Sequence, residues 1–290
     1  MLSKIKDESK CWWCNSSEYA LSGEHKIKKT DIEQLFGKGD EFKEQKFIKV
    51  VGNGILKGQI QSPSSNILKF NKKLCSNCNG SRSQQMDRSY EKFMNYYNEN
   101  KEKIKTSKIF DLGEIYESRF NESYLNLKRY FIKHICCKIV DDLNLLPPLN
   151  LINFLNGKEE LKDVKIIFNI KPYAFSVKDP FTTPYISSLD ILKEEDNTIA
   201  IIMGWFTVNQ LSINYIIEKN INCDLVDGKI IDVGVFDYKG LKHWNEIIDS
   251  SKKPEINFKL ISDLFENYPF NQEKNKLEKA LKMYKHLKYQ

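Results

Sequence analysis

Four of the chain's seven cysteines stand in two identical brackets, Cys11-Trp12-Trp13-Cys14 and Cys75-Ser76-Asn77-Cys78. Thiolates are soft ligands, and two residues between them let one tight turn offer both sulfurs to the same ion. Two such turns supply the four sulfurs that zinc takes in a tetrahedron, each at about 2.3 Å. A lone bracket has a second chemistry, thiol–disulfide exchange on a thioredoxin-like scaffold. That motif follows a strand in a βαβ unit, and neither bracket here reads that way. A shared structural zinc on Cys11, Cys14, Cys75 and Cys78 is therefore expected, and it would supply folding energy that a lysine-rich segment lacks. Cys136 and Cys137 fall in an apolar helical stretch at residues 130–140 and read as small core hydrophobes, with His134 as a packed helix residue beside them. Cys223 has no context that assigns it.

Donors of a harder kind sit next to the sulfurs. Ser22-Gly23-Glu24-His25 follows the first bracket, and Asn79-Gly80-Ser81-Arg82 directly follows the second. Mg²⁺ prefers oxygen ligands and keeps several waters, so one carboxylate and one amide oxygen suffice where a substrate phosphate supplies more. Adjacent residues of an extended segment point to opposite sides, which leaves His25 to accept a proton from a water near a metal-bound phosphate.

This combination resembles the HNH, or ββα-metal, endonucleases, in particular the zinc-stapled group of bacterial HNH nucleases with an acid–His pair before the second bracket and CxxC-Asn after it. The resemblance covers roughly residues 8–98. It implies a β-hairpin bearing His25 as general base, a following helix, and Glu24 and Asn79 as catalytic ligands of Mg²⁺ or Mn²⁺. It also implies DNA as substrate, RNA being the other polyanion of the same chemistry, and a setting in bacterial defence or restriction. Such proteins carry a middle Asn about five residues before the second bracket; Phe70 stands there, with Asn66 and Asn71 both near enough to take its bracing role. The stretch from His25 to Cys75 is longer than usual.

Several elements must position these groups. Residues 46–51 and 55–60 flank Gly52-Asn53-Gly54 and read as a hairpin that extends the ββα core. Met86, Tyr90, Phe93 and Tyr97 recur at helical spacing after a start that Ser81 or Ser83 can cap. The start of that helix favours a phosphate, so Arg82 and Arg88 suit phosphate binding, although Arg88 equally suits an ion pair with Glu91. Residues 99–109 read as a charged connector and 110–145 as mostly helical, ended by Pro147-Pro148. β-like runs follow at 164–168, 198–206 and 229–235, and a helix is expected at 272–290. Tyr173, Phe175, Tyr185, Trp205 and Phe206 read as core rather than as base-stacking surfaces. His243 and His286 read as surface residues.

The fold class expected is α+β: a zinc-stapled ββα-metal domain over residues 1–100, then a mixed α+β domain over 101–290. The second would serve target recognition, sensing, or assembly with another copy or a partner protein. Residues 1–110 carry 21 Lys+Arg against 13 Asp+Glu, a balance of +8, while the remainder carries 24 against 26, a balance of −2. A basic first third suits a polyanion or is simply a solvated lysine-rich face. The longest apolar run, residues 199–208, is far short of the roughly 20 residues of a membrane helix. The amino terminus is charged where a signal peptide is apolar. A cytoplasmic location away from membranes is expected. The function expected is phosphodiester hydrolysis in DNA. A non-catalytic zinc-dependent nucleic-acid-binding protein is the alternative, and a protein-interaction adaptor a third class.

Overall fold

The apolar stripe of Met86, Tyr90, Phe93 and Tyr97 lies buried along one face of a helix, Gln84–Glu99 (α4). The computed structural model describes residues 4–235, apart from 6, 45–48, 53–54, 61, 72, 108, 159, 171–184, 187–188, 195–197, 210 and 219–229. Tyr173, Phe175, Cys223, His243, His286 and the helix expected at 272–290 lie outside the described residues.

In chain order, the short strand Leu21–Ser22 (β1) leads to helices Lys29–Phe36 (α1) and Gly39–Glu44 (α2). Strands Lys49–Gly52 (β2) and Ile55–Gln59 (β3) pair antiparallel as a two-stranded sheet of their own, not as an extension of β1. The segment Lys49–Gln59 belongs to a separate unit from Met1–Ile48 and Ile60–Val235, which pack as one compact unit containing residue 100. Strand Leu74–Cys75 (β4) pairs antiparallel with β1 and runs into the short helix Ser76–Asn79 (α3), ahead of α4. The overall class is mixed α+β.

The charged segment at 99–109 is not a connector. Glu102 and Lys103 lie outward on a helix, Lys101–Ser107 (α5), with Ile104 buried, and Ile109–Asp111 (β5) then joins the main sheet. Asp111 caps the next helix, Leu112–Tyr116 (α6), accepting from the N–H groups of Gly113 and Glu114. The long helix Phe120–Leu143 (α7) ends at Asn144, which adopts the left-handed conformation (φ 53°) that closes a helix without glycine. Pro147-Pro148 thus does not end α7; Pro148 stands at the start of Leu149–Leu155 (α8), where a missing N–H costs nothing.

Strand Val164–Ile170 (β6) begins the rest of the main sheet. Tyr185–Ile186 (β7), Asp190–Lys193 (β8), Ile199–Val208 (β9), Leu211–Glu218 (β10) and Ile230–Val235 (β11) follow. Their order is β5-β11-β6-β10-β9-β7, with β8 also beside β9, and the β11–β6 pair alone runs parallel. Helices α4 and α7 meet this sheet through aromatic rings. Phe131 lies 5.5 Å from Phe168 and 6.3 Å from both Phe93 and Phe206. Tyr90 stacks on Tyr130 at 3.9 Å. Phe206 is core, as its strand position suggests. No helix among the described residues is long and apolar enough to cross a membrane.

Residues 130–140 of α7 are buried all round, which strands three polar side chains in the interior, and each has a partner. Lys133 reaches Glu24 and Asp87, and Lys138 reaches Asp142 at 2.8 Å. His134 Nε2 pairs with the carbonyl of Lys26 at 2.8 Å, its ring lying against Phe70 and Phe206. Only the N–H form of Nε2 can donate to a carbonyl, so the tautomer is fixed. Cys136 and Cys137 are buried thiols.

His134 gives this core a pH dependence. Burial lowers its pKa from 6.5 to about 4. The unfolded chain therefore binds a proton that the folded chain refuses between those values, and this contribution is complete above pH 6.5 and lost as pH falls towards 4. The raised acids Asp31 and Asp190, both near 6, work in the opposite direction and mask it when the wild type is measured by itself, but they are common to wild type and variant. Comparing wild type with His134→Gln isolates the term. The stability advantage of wild type should shrink by roughly 3 kcal/mol between pH 7 and pH 4. Parallel stability curves for the two proteins would overturn this account.

Candidate metal centre and active site

The two cysteine brackets come together although some sixty residues separate them. The Sγ atoms of Cys11, Cys14, Cys75 and Cys78 all lie within 4.8 Å of one another, and Cys14 and Cys75 are 3.7 Å apart. A zinc tetrahedron with 2.3 Å arms has edges of about 3.8 Å, so four such sulfurs can hold a metal ion of this kind.

Local backbone chemistry builds each turn. Asn15 takes φ 57° and its N–H donates to the Cys11 carbonyl at 2.8 Å, closing the first turn around Trp12 and Trp13. In the second turn the Cys78 N–H donates to Cys75 Sγ at 3.4 Å, the polarisation a thiolate ligand needs. The Trp12 N–H donates to the Lys73 carbonyl at 3.1 Å and the Ser76 N–H to the Ala20 carbonyl at 2.9 Å, fastening the turns to each other's flanks. A hydrogen bond from the Cys78 thiol draws the Cys11 pKa down to about 4, the same bond pushes Cys78 up, and burial pushes Cys14 up.

Arg82 belongs to this cluster. Its guanidinium donates to Cys78 Sγ at 3.6 Å and to Asn156 Oδ1, and it lies 4.6 Å above the ring of Trp13. Trp13 Nε1 donates to the same Asn156 oxygen at 2.9 Å. Arg82 thus braces the sulfurs and counters their charge, a role that spacing alone did not reveal; its partner Asn156 lies in the segment after α8. Arg88 is exposed on α4, and Glu91 takes Lys28 as its ion-pair partner at 3.3 Å.

Beyond β1 and β4 the two segments keep pairing as a broken ribbon. The Phe70 N–H donates to the Glu24 carbonyl at 2.8 Å, the Lys26 N–H donates to the Leu68 carbonyl at 2.7 Å, and His25 bridges Lys69. Gly23 is required by this closeness. A Cβ there would stand 2.5 Å from the Phe70 carbonyl oxygen, which is backbone and cannot move aside cheaply. Phe70 is buried in the ribbon; Asn66 and Asn71 are both exposed, and the Asn71 N–H donates to Asp141 at 2.9 Å.

Asn79, at the end of α3, is tied to this ribbon. Its Nδ2 donates to Ser22 Oγ at 3.2 Å, and Ser22 in turn donates to the Leu74 carbonyl at 3.0 Å. Two and three residues further on are Glu24 and His25, about 7–10 Å along an extended chain. Asn79 Oδ1 and His25 Nε2 are both buried and have no hydrogen-bond partner in the protein. Burial pulls the His25 pKa below its usual value, and the lysines at 69, 29 and 28 act in the same sense, against Glu24.

The feature that motif spacing missed is Lys133. Its fully buried Nζ donates to Glu24 Oε2 at 3.0 Å, Ser83 Oγ at 3.2 Å and Asp87 Oδ1 at 3.3 Å. Burial pushes Lys133 towards neutrality, but the two carboxylates outweigh it and raise its pKa. Ser83 stands at the start of α4 without capping it; its hydroxyl donates to Asp87 Oδ2 at 3.2 Å instead. A lysine inside an apolar helical run was the available signal, since a helix with no exposed face must pair any charge it carries.

No family model, curated protein or solved structure matches this chain. The four-sulfur cluster is directly testable. Purified protein should carry about one zinc per chain, and Cys78→Ser should lose it together with the folded structure of residues 11–80. Full metal content and an unchanged melting profile in that variant would remove the staple.

Proposed function

We propose that the chain is a metal-dependent endonuclease of the HNH type that hydrolyses phosphodiester bonds in DNA, with structural zinc on Cys11, Cys14, Cys75 and Cys78. The observation that carries this reading is a pair of orphans. Asn79 Oδ1 and His25 Nε2 are buried polar atoms without a protein partner, on segments that the four-cysteine cluster brings together. Buried polar atoms are nearly always satisfied, so two orphans on the two residues that the motif assigns to metal and water point to a ligand supplied from outside.

The donor set fits a hard divalent cation: the amide oxygen of Asn79, the carboxylate of Glu24, and places left for water and phosphate. Such an ion, when bound, neutralises charge on the phosphate and its leaving oxygen. The protein's own work is then positional. Ser22 fixes the Asn79 amide so that its oxygen is the free end, and the Gly23 approach fixes the strand that carries Glu24 and His25. The unengaged ring nitrogen of His25 takes the proton of the attacking water. Arg82 is committed to the sulfurs in this scheme, which leaves Arg88 and the lysine-rich face of the first third as phosphate contacts.

One observation favours the alternative of a non-catalytic zinc-dependent nucleic-acid-binding protein: the Glu24 carboxylate already has an internal counter-ion in Lys133. Supercoiled plasmid separates the two readings. With Mg²⁺ or Mn²⁺ the wild type should nick it, and His25→Ala should lose at least a hundredfold, the low end for removing a general base, with unchanged zinc content. Salt-sensitive binding without nicking by the wild type in either metal would overturn the enzymatic reading in favour of the other.

A further inference from the structure

We infer that Lys133 is a positioning residue for Glu24: its ammonium, delivered from α7, holds one carboxylate oxygen so that the other is presented to a divalent cation. This rests on the metal site proposed above. Lys133 lies outside residues 8–98, where the motif resides, yet its three N–H groups are matched by three acceptors at 3.0, 3.2 and 3.3 Å on two segments of that motif. A fully buried ammonium with every donor engaged is a fixed point rather than a mobile counter-ion.

The arrangement also has a reason to be rigid. Asp87 Oδ1 is shared with Lys28 at 3.1 Å, and Lys28 reaches Glu91 at 3.3 Å, so two cations and three carboxylates interlock. The Glu24 side chain is only 12% exposed. Oε2 accepts from Lys133, which leaves Oε1 as the oxygen that a cation would take. Groups that orient a metal ligand in this way are worth about 10- to 100-fold in metal affinity.

Electrostatics alone predicts the opposite sign, and this makes the inference decidable. Removing a buried positive charge beside a cation site should tighten cation binding; removing a positioning group should weaken it. Mn²⁺ titrated into the full-length, zinc-loaded protein, with free Mn²⁺ followed by electron paramagnetic resonance, reads this without any substrate. Lys133→Met is expected to weaken Mn²⁺ binding about 10-fold or more, and Lys133→Arg, which keeps charge and donors, to recover part of it. The double variant Lys133→Met with Asp87→Asn removes one unpaired carboxylate and serves as the test if the single variant does not fold. Unchanged or tighter binding in the folded variants overturns the positioning role. Glu24→Gln is the companion measurement: if wild-type Mn²⁺ binding is indifferent to it, the metal site itself is wrong and the role of Lys133 falls with it.

Discussion

Sulfur geometry is the constraint on which the amino-terminal part depends. Two turns some sixty residues apart place four thiols within 4.8 Å of one another, and uncharged thiols have little attraction of their own to hold them so. A soft dication on these sulfurs would convert that crowding into binding energy, and four thiolates around it would leave two negative charges to be countered. Arg82 on Cys78, stacked over Trp13, and the Cys78 N–H on Cys75 meet that need. Everything downstream inherits the crossing of the two segments: the β1–β4 pair, the Gly23 approach to Phe70, and the Ser22–Asn79 hydrogen bond all require both brackets to be in register.

The staple alone does not complete the site. Glu24, Ser83 and Asp87 converge on an ammonium supplied by α7, and the Lys26 carbonyl converges on an imidazole from the next position of that helix. A buried ion pair is weak evidence for stability, because desolvation offsets most of its attraction. Breaking one is costly, about 3–5 kcal/mol, because a charge is left without a partner. A helix buried on every face and carrying lysines at 133 and 138 therefore specifies arrangement more than it adds stability. Lys138 finds its acid, Asp142, one turn along the same helix, so it is Lys133, with acids on the ribbon and on α4, that selects the register of α7 against them.

Spacing in the sequence made the brackets, the α4 stripe and the strands β6, β9 and β11 legible, because each rests on local periodicity or a fixed ligand interval. Strand β10 carries the same alternating signal in Ile213, Tyr215 and Ile217. Pro147-Pro148 suggests an end to α7 that Asn144 alone provides in a left-handed turn, and the charges of residues 99–109 suggest a connector where Ile104, Phe110 and Leu112 are buried. Arg82 shows the limit differently. An arginine near a helix start predicts phosphate binding, but its partners here are Asn156, far along the chain, and a sulfur whose charge depends on a bound ion. Lys133 needed a fact that no local window contains, namely which carboxylates a buried helix would meet.

Orphaned polar atoms occur elsewhere in the fold, which bears on how much weight those of His25 and Asn79 carry. Arg129 Nε and His134 Nδ1 on α7 are also buried without a partner, as are polar atoms of Thr207, Ser212, Asn214 and Tyr215 on the central strands β9 and β10. The four strand positions alternate with apolar core residues, and the Tyr215 hydroxyl is pressed within 2.5 Å of where a Gly204 side chain would begin. They read as packing accommodated by small or polar groups. Asn79 differs in having its donor half tied down by Ser22 while its acceptor half stays free, and His25 in adjoining a carboxylate that is itself held in place. An amide fixed by one end only is the arrangement that the proposed cation site would require of Asn79, whereas a sheet interior gains nothing from the same geometry.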